Sequence, residues 1–220
     1  FMKVYMEQEI LQENVHQAEQ NRLWFGKTLV VNLIGSPGCG KTTLLEKTLS
    51  ALREEFCMAV IEGDIYTTKD AQRIEACGAP VVQVNTAGGC HLSAEIIAKA
   101  AADLELDKMD ILFIENVGNL VCPAEFDLGE DCKAAVLSIV EGDDKPAKYP
   151  LLFQEAGVVL LNKCDLSPYT NFNLESALAD IRGLNTSAPV IQLAAVKGDG
   201  LGAWFDWLRM SVAKKRAALK

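Results

Sequence analysis

The stretch Gly35-Ser36-Pro37-Gly38-Cys39-Gly40-Lys41-Thr42-Thr43 carries the spacing G-x-x-x-x-G-K-T, which suits one chemistry above all: holding a chain of phosphates. Gly38 and Gly40 let the backbone curl until successive N–H groups face one point, a nest for phosphate oxygens. Lys41 has the reach for β- and γ-phosphates, and the Thr42 hydroxyl is a natural Mg²⁺ ligand. The candidate phosphate contacts are therefore Gly38, Cys39, Gly40, Lys41, Thr42 and Thr43, with Lys41 also catalytic. A second short stretch, Asn162-Lys163-Cys164-Asp165, reads as a base detector. Asp165 can accept two hydrogen bonds from guanine, at N1–H and at the 2-amino group, while Asn162 and Lys163 brace the base and the phosphate loop. Adenine offers neither donor, and sites built on such bonds reject the wrong ligand by roughly 10⁴-fold or more. The nucleotide expected is GTP, with GDP as product.

Carboxylates stand where magnesium chemistry needs them. Asp64 closes the apolar run Cys57–Glu62 and is expected at the carboxyl end of a strand, where α/β sheets bind ligands. There it can hold Mg²⁺ or orient the attacking water, with Asp70 a weaker second candidate. Glu115-Asn116-Val117-Gly118 has the shape of a γ-phosphate sensor, an acid toward Mg²⁺ and a glycine N–H toward the γ-phosphate. Thr42, Asp64 and Glu115 form the expected Mg²⁺ set.

A third group suits a softer ion. Cys90-His91 falls at a loop-to-helix junction after Gly88-Gly89, and Cys122 lies four residues beyond the sensor glycine Gly118. A helix N-terminus favours the Cys90 thiolate, and thiol plus imidazole suits Ni²⁺ or Zn²⁺ far better than Mg²⁺. Three ligands leave a fourth position for water, a partner residue or a cargo path. A loop that follows the γ-phosphate would carry Cys122 with it.

These stretches need a scaffold of alternating strands and helices. Apolar runs at Leu29–Ile34, Cys57–Glu62, Val81–Val84, Met109–Ile114, Ala134–Val140, Gly157–Leu161 and Pro189–Leu193 read as strands. Helical patterns separate them, including Thr68–Ala76, Leu174–Leu184 and Leu201–Ala218. The fold class expected is α/β, a three-layer P-loop NTPase with a mostly parallel sheet flanked by helices. Residues 1–28 are expected to form a helical extension, amphipathic from Tyr5 to Arg22 through Ile10, Leu11, Val15 and Ala18, and residues 29–220 a GTPase domain. His16 reads as a solvated residue. Ala194–Gly200 takes the place of the last guanine loop, with the Ala195 N–H toward guanine O6 and Val196 where a lysine is usual.

Composition narrows the partners. A net charge of −9 over 220 residues argues against a nucleic-acid phosphate backbone, and no apolar run is long enough to span a bilayer. No basic region followed by an apolar core marks a secretory leader. Seven cysteines beside a nucleotide loop point to a reducing cytoplasm, and Cys39, Cys57, Cys77, Cys132 and Cys164 read as buried small hydrophobes.

The set GSPGCGKTT, EGDIYTTKDA, GGCHL, IENVGNLVCP, VEGDDKPAKYP and NKCD, in this order, resembles the HypB family of hydrogenase nickel-incorporation GTPases. The resemblance runs over nearly the whole chain from Leu29. It implies a homodimer of the signal-recognition and MinD-like class that depends on nucleotide, with metal as a candidate second determinant. It implies GTP hydrolysis coupled to nickel delivery into [NiFe] hydrogenase, with a nickel metallochaperone and the hydrogenase large subunit as partners. Cys90, His91 and Cys122 take the family's metal-ligand positions at or near the dimer face, and Zn²⁺ can occupy the same place. Lys148 aligns with a lysine that some members insert into the partner's nucleotide site. No N-terminal Cys cluster or His-rich run is present, and Glu95 stands where some relatives place another His. Two alternatives are a urease-type nickel GTPase, whose usual C-P-H differs from the adjacent Cys90 and His91, and a GTP-dependent chaperone for a cofactor enzyme such as a cobalamin-handling protein. A nucleotide-binding metal-storage protein is a third, opposed by the few ligands.

Overall fold

The apolar run after Lys27 forms the central strand, and the rest of the chain is laid on either side of it. The computed structural model describes residues 7–64 and 69–218. In chain order the elements are α1 (Glu7–Phe25), β1 (Leu29–Ile34), α2 (Lys41–Leu52), β2 (Met58–Asp64), α3 (Lys69–Glu75), β3 (Val81–Asn85), α4 (Ala94–Ala101) and β4 (Ile111–Glu115). There follow α5 (Cys122–Glu125), β5 (Cys132–Ser138), α6 (Lys145–Lys148), α7 (Pro150–Glu155), β6 (Ala156–Asn162), α8 (Leu174–Leu184), β7 (Val190–Gln192) and α9 (Leu201–Ala218).

The strands build a seven-stranded sheet in the order β3-β2-β4-β1-β5-β6-β7, and every pairing is parallel. Parallel sheets need both faces covered, which is why the central strands are continuous apolar runs rather than alternating ones. On one face Val31 and Leu33 of β1 pack with Leu45 and Leu49 of α2 and with Trp204 and Leu208 of α9. The Trp204 Nε1–H donates to Thr48 Oγ1 at 2.9 Å, so the indole is buried without an orphan donor. On the other face Val30, Ile61, Leu112 and Ile114 meet Ile97 and Ala101 of α4 and Phe25 of α1. Farther along that face, Leu137 and Leu161 close on Phe153 and Ile181. Burying each such side chain contributes about 1.5–3 kcal/mol.

Three details differ from the sequence expectation. The face α1 lays on the body is Asn14, Ala18, Asn21 and Phe25, whereas Leu11 and Val15 are exposed. The asparagines win because they satisfy backbone ends no apolar side chain could. Asn14 Oδ1 accepts the Ala94 N–H at 2.8 Å, and Asn21 Nδ2 donates to the Ala94 and Leu128 carbonyls at 2.8 and 3.0 Å. The predicted start of this helix at Tyr5 lies outside the described residues, as does the Thr68 start predicted for the helix that is α3. The strand expected to run to Val140 stops at Ser138, where a capping box with Glu141 turns the chain into a 3₁₀ segment, Ile139–Glu141. Cys57 is exposed, not buried; Cys39 is buried, and Cys77, Cys132 and Cys164 lie between. His16 is exposed and within hydrogen-bond distance of Gln20. Among the described residues, no helix is long and apolar enough to cross a membrane.

Candidate nucleotide and metal sites

The carboxyl ends of β1, β2, β4 and β6 open onto one cleft of about 670 Å³. Gly38, Gly40, Lys41, Thr42 and Thr43 form its floor, Asp64, Asp70 and Arg73 one side, Glu115 to Gly118 another, and Asn162, Lys163, Asp165 and Ala195 the far end. Every predicted nucleotide residue except Cys39 and Lys148 therefore lines a single cleft. Cys39 is buried beneath the loop, where burial pushes its thiol up, and its carbonyl accepts Asn162 Nδ2 at 2.8 Å. The base detector is thus bonded to the phosphate loop. Lys163, left-handed at φ 62°, adds a second tie, its Nζ donating to Gly38 O at 2.6 Å.

Asn162 Oδ1 also accepts the N–H of Lys163 at 2.8 Å and of Ala195 at 3.0 Å. The Ala195 N–H predicted to face guanine is here engaged by Asn162. Val196 points to solvent, and Lys197, one position later, pairs with Asp165 at 3.5 Å. Lys148 does not line its own chain's cleft; it is an exposed residue of α6 paired with Asp144.

At the phosphate end Lys41 donates to Gly35 O at 3.2 Å and Thr42 Oγ1 donates to Glu115 Oε1 at 2.8 Å. Gly118 approaches Pro37 so closely that a Cβ there would meet proline atoms at 2.8–3.0 Å. The sensor segment therefore lies directly on the phosphate loop, and only glycine fits.

Sequence reasoning missed two residues of this cleft. Glu62 sits inside β2, 2% exposed, level with Glu115 on the neighbouring strand. One oxygen of each, Glu62 Oε2 and Glu115 Oε2, is buried without a hydrogen-bond partner among the described residues. Burial first, then the like charge of Glu115, pushes Glu62 up to about 8, and burial raises Glu115 to about 7. Buried, under-bonded carboxylates facing a phosphate nest fit a divalent cation, so the donor set suits Mg²⁺. A lone acid directly after the run Met58–Ile61 was the available signal. Arg73 is the second: it donates to Glu46 at 2.9 and 2.7 Å, to Asp70 at 2.9 Å and to Thr43 Oγ1 at 3.2 Å. Asp70 is thereby taken up in clamping α3 to α2.

In the loops after β3 and β4, Cys90, His91 and Cys122 bring one ligand atom each within 4.8 Å of one another. Cys90 and His91 precede the α4 N-cap Ser93, and Cys122 opens α5. The two thiols face each other, and that hydrogen bond, with burial behind it, raises Cys90 rather than lowering it as the helix N-terminus led one to expect. Burial lowers His91, which keeps its imidazole neutral and ligand-ready. Phe126, just past α5, stacks on the His91 ring at 3.8 Å between centroids and 20° between planes. Glu95, one turn on, is paired with Lys99 at 2.7 Å.

A phosphate loop after the central strand of a parallel sheet, with a sensor segment and a base detector on adjacent strand ends, defines the P-loop GTPase class. Residues 29–192 match the family model described as CobW/HypB/UreG, nucleotide-binding domain. The chain is 54% identical over 205 residues to hydrogenase maturation factor HypB of Escherichia coli K12, covering 92% of this chain and 71% of that one. HypB from Helicobacter pylori, solved in complex with nickel, superposes with a TM-score of 0.85 at 36% identity, over 94% of this chain and 97% of that one. HypB from Archaeoglobus fulgidus gives the same TM-score, 0.85, at 35% identity over 92% and 100%. The chain belongs to the HypB family of hydrogenase maturation factors.

Proposed function

We propose that this chain hydrolyses GTP to GDP and phosphate and uses the cycle to hand Ni²⁺ to a [NiFe] hydrogenase precursor in the cytoplasm. One observation carries the reading: three soft ligands lie within 4.8 Å of one another, and one of them, Cys122, follows the segment resting on the phosphate loop. Cargo and nucleotide then act on a single piece of backbone. Residues 29–220 serve as the GTPase domain and residues 1–28 as a helical extension upon it.

In the cleft, the N–H groups of residues 38–43 and the Lys41 ammonium hold the phosphates, and the Gly118 N–H meets the γ-phosphate. Asp165 reads guanine N1–H and the 2-amino group, with Asn162, Lys163 and Ala195 in support. For guanine O6 to reach the Ala195 N–H, the Asn162 bond must give way. Thr42, Asp64 and Glu115 would hold Mg²⁺, which supplies charge neutralisation on the β- and γ-oxygens. Asp64 orients the attacking water, whose oxygen bonds to Pγ as the Pγ–O bond to the β-phosphate breaks, the electron pair staying on GDP and the water's proton passing to the released phosphate. Cys90, His91 and Cys122 bind the nickel cargo, releasing thiol protons as it enters. A homodimer places Lys148 toward the partner's nucleotide, and a nickel metallochaperone and the hydrogenase large subunit stand on either side of the transfer.

The test is metal stoichiometry and oligomeric mass with GDP and with a non-hydrolysable GTP analogue, for the native chain and for a variant with Cys90, His91 and Cys122 all changed to Ala. Loss of Ni²⁺ binding in the variant, with a nucleotide effect in the native chain, is the expected result. Unchanged metal binding in the variant contradicts the ligand assignment.

A further inference from the structure

Beside the cleft lies a connected chain of buried polar side chains, Asn116, Asn32 and Glu130, and its Asn116 end reaches the metal loop. Asn116, 1% exposed, follows Glu115 at the end of β4. Its Oδ1 accepts the N–H of Val117 at 3.0 Å and of Leu92 at 3.4 Å, and its Nδ2 donates to Asn32 Oδ1 at 3.2 Å. Asn32, in the strand that feeds the phosphate loop, donates in turn to Glu130 Oε1 at 3.1 Å. One sensor residue is thus bonded to the central strand, to its own segment and to the residue after His91.

We propose that Asn116 is the positioning residue that makes the Cys90–His91 half of the metal site follow the nucleotide. The inference rests on the GTP and nickel reading above. The ligand set has two halves on different loops. Cys122 is joined covalently to the sensor segment, so it moves when that segment moves. Cys90 and His91 are not, and without a second link any shift of Cys122 would shear the three ligands apart.

The link must therefore pass through side chains, and the Asn116 amide bridges the gap at Leu92. Leu92 is fully buried and wedged under β2: a Cβ on Gly63, the residue before Asp64, would meet Leu92 Cδ1 at 2.8 Å. Leu92 is thus held by one strand end of the cleft through packing and by another through Asn116. Asn119 adds an outer tie, its Nδ2 donating to Cys90 O at 3.4 Å while its Oδ1 accepts the Val121 N–H at 2.9 Å. Beside the Cys90–Cys122 thiol pair, the two amide bonds that cross between the loops are at the long limit for N–H···O, whereas those within the sensor segment are of ordinary length. The crossing bonds are the ones a sub-ångström displacement would make or break.

The experiment is Ni²⁺ affinity in GDP and in a non-hydrolysable GTP analogue, expressed as a ratio, for the full chain and for Asn116→Ala and Asn116→Asp. The native ratio is expected to lie about 5-fold or more from one. Asn116→Ala brings it to about one while Ni²⁺ stoichiometry persists, and GTP affinity is measured alongside because Asn116 also lines the cleft. Asn116→Asp keeps an acceptor for the Leu92 N–H and restores the ratio. A native ratio away from one that Asn116→Ala leaves intact overturns this inference alone; a native ratio of one overturns the reading beneath it as well. Should the buried variants not fold, amide exchange at Leu92 in the native chain decides. Protection that differs between GDP and the analogue supports the link, and equal protection contradicts it.

Discussion

The nucleotide cleft and the metal loop lie close together yet are built by opposite means. In the cleft, Lys41, Thr42, Glu115 and Asn162 are all at least nine-tenths buried, and each has a side-chain bond of 3.2 Å or less to another element or to the loop itself. At the metal loop Cys90 is exposed, and the contacts that hold it include a thiol pair, a 3.5 Å contact of its sulfur with His91 Nδ1, a ring stack on that neighbour and a 3.4 Å hydrogen bond. Preorganised donors suit a site that must recognise charge and shape the same way in every cycle. A thinly held thiolate–imidazole set suits an ion that must leave. The difference teaches where each half is vulnerable: the cleft through its hydrogen bonds, the metal loop through its ligands and their few supports.

Changing the guanine reader should break the comparison most sharply. Asp165→Asn removes the charged double acceptor, so preference for GTP over ATP should fall by most of the ~10⁴-fold such sites achieve. Ni²⁺ binding without nucleotide should be untouched, and competition binding with both nucleotides measures it. Next in size is Cys122→Ala, expected to weaken Ni²⁺ by more than the ~10–100-fold that losing a supporting contact costs. Phe126→Ala, which removes the stack on His91, should fall within that range. Neither should move GTP affinity in metal-free buffer, as calorimetry can show.

The remaining two effects are on stability. Asn21→Ala leaves the Ala94 and Leu128 carbonyls under-bonded beneath α1, at a cost of about 1–3 kcal/mol. Denaturant melts should show it while both binding activities survive. Glu62→Gln should act in the opposite direction. The Glu62 carboxyl is raised from 4.5 to about 8 on folding, so folded protein binds its proton more tightly than unfolded. That contribution is complete below pH 4.5 and lost as pH rises toward 8. In nucleotide-free, Mg²⁺-free buffer at pH 8, Glu62→Gln should therefore melt several degrees above the native chain. The gain should vanish near pH 4.5, the ordinary value for Glu.

The cleft was largely legible in the sequence because its chemistry is local. A strand, a glycine-rich turn and a helix start are contiguous, and Asn162 to Asp165 act from one strand end. Glu62 was legible in principle, as an acid at the end of an apolar run, but its meaning depends on lying level with Glu115 across two strands that are 53 residues apart in register. Cys90, His91 and Cys122 could be named from their types, whereas the Phe126 stack and the Asn116 bridge exist only once two loops meet. The α1 face escaped periodicity reasoning for a different cause. Its anchors are asparagines serving the Ala94 peptide and the 127–128 turn, so the apolar pattern of Leu11 and Val15 marks the wrong side. The end of β5 was readable from Ser138 and Glu141, a capping pair that outweighs the β-branched Ile139 and Val140.

The central claim is that nucleotide and cargo share one segment, residues 115–122. Linkage then requires that nickel alter GTP affinity by the same factor by which GTP alters nickel affinity. The most direct measurement is the affinity of a non-hydrolysable GTP analogue with and without saturating Ni²⁺, set beside Ni²⁺ affinity with and without the analogue. Two equal ratios, both away from one and both lost in the Cys90, His91 and Cys122 triple-alanine variant, are what the account expects. Ratios of one in the native chain would mean that the two sites are neighbours without being coupled.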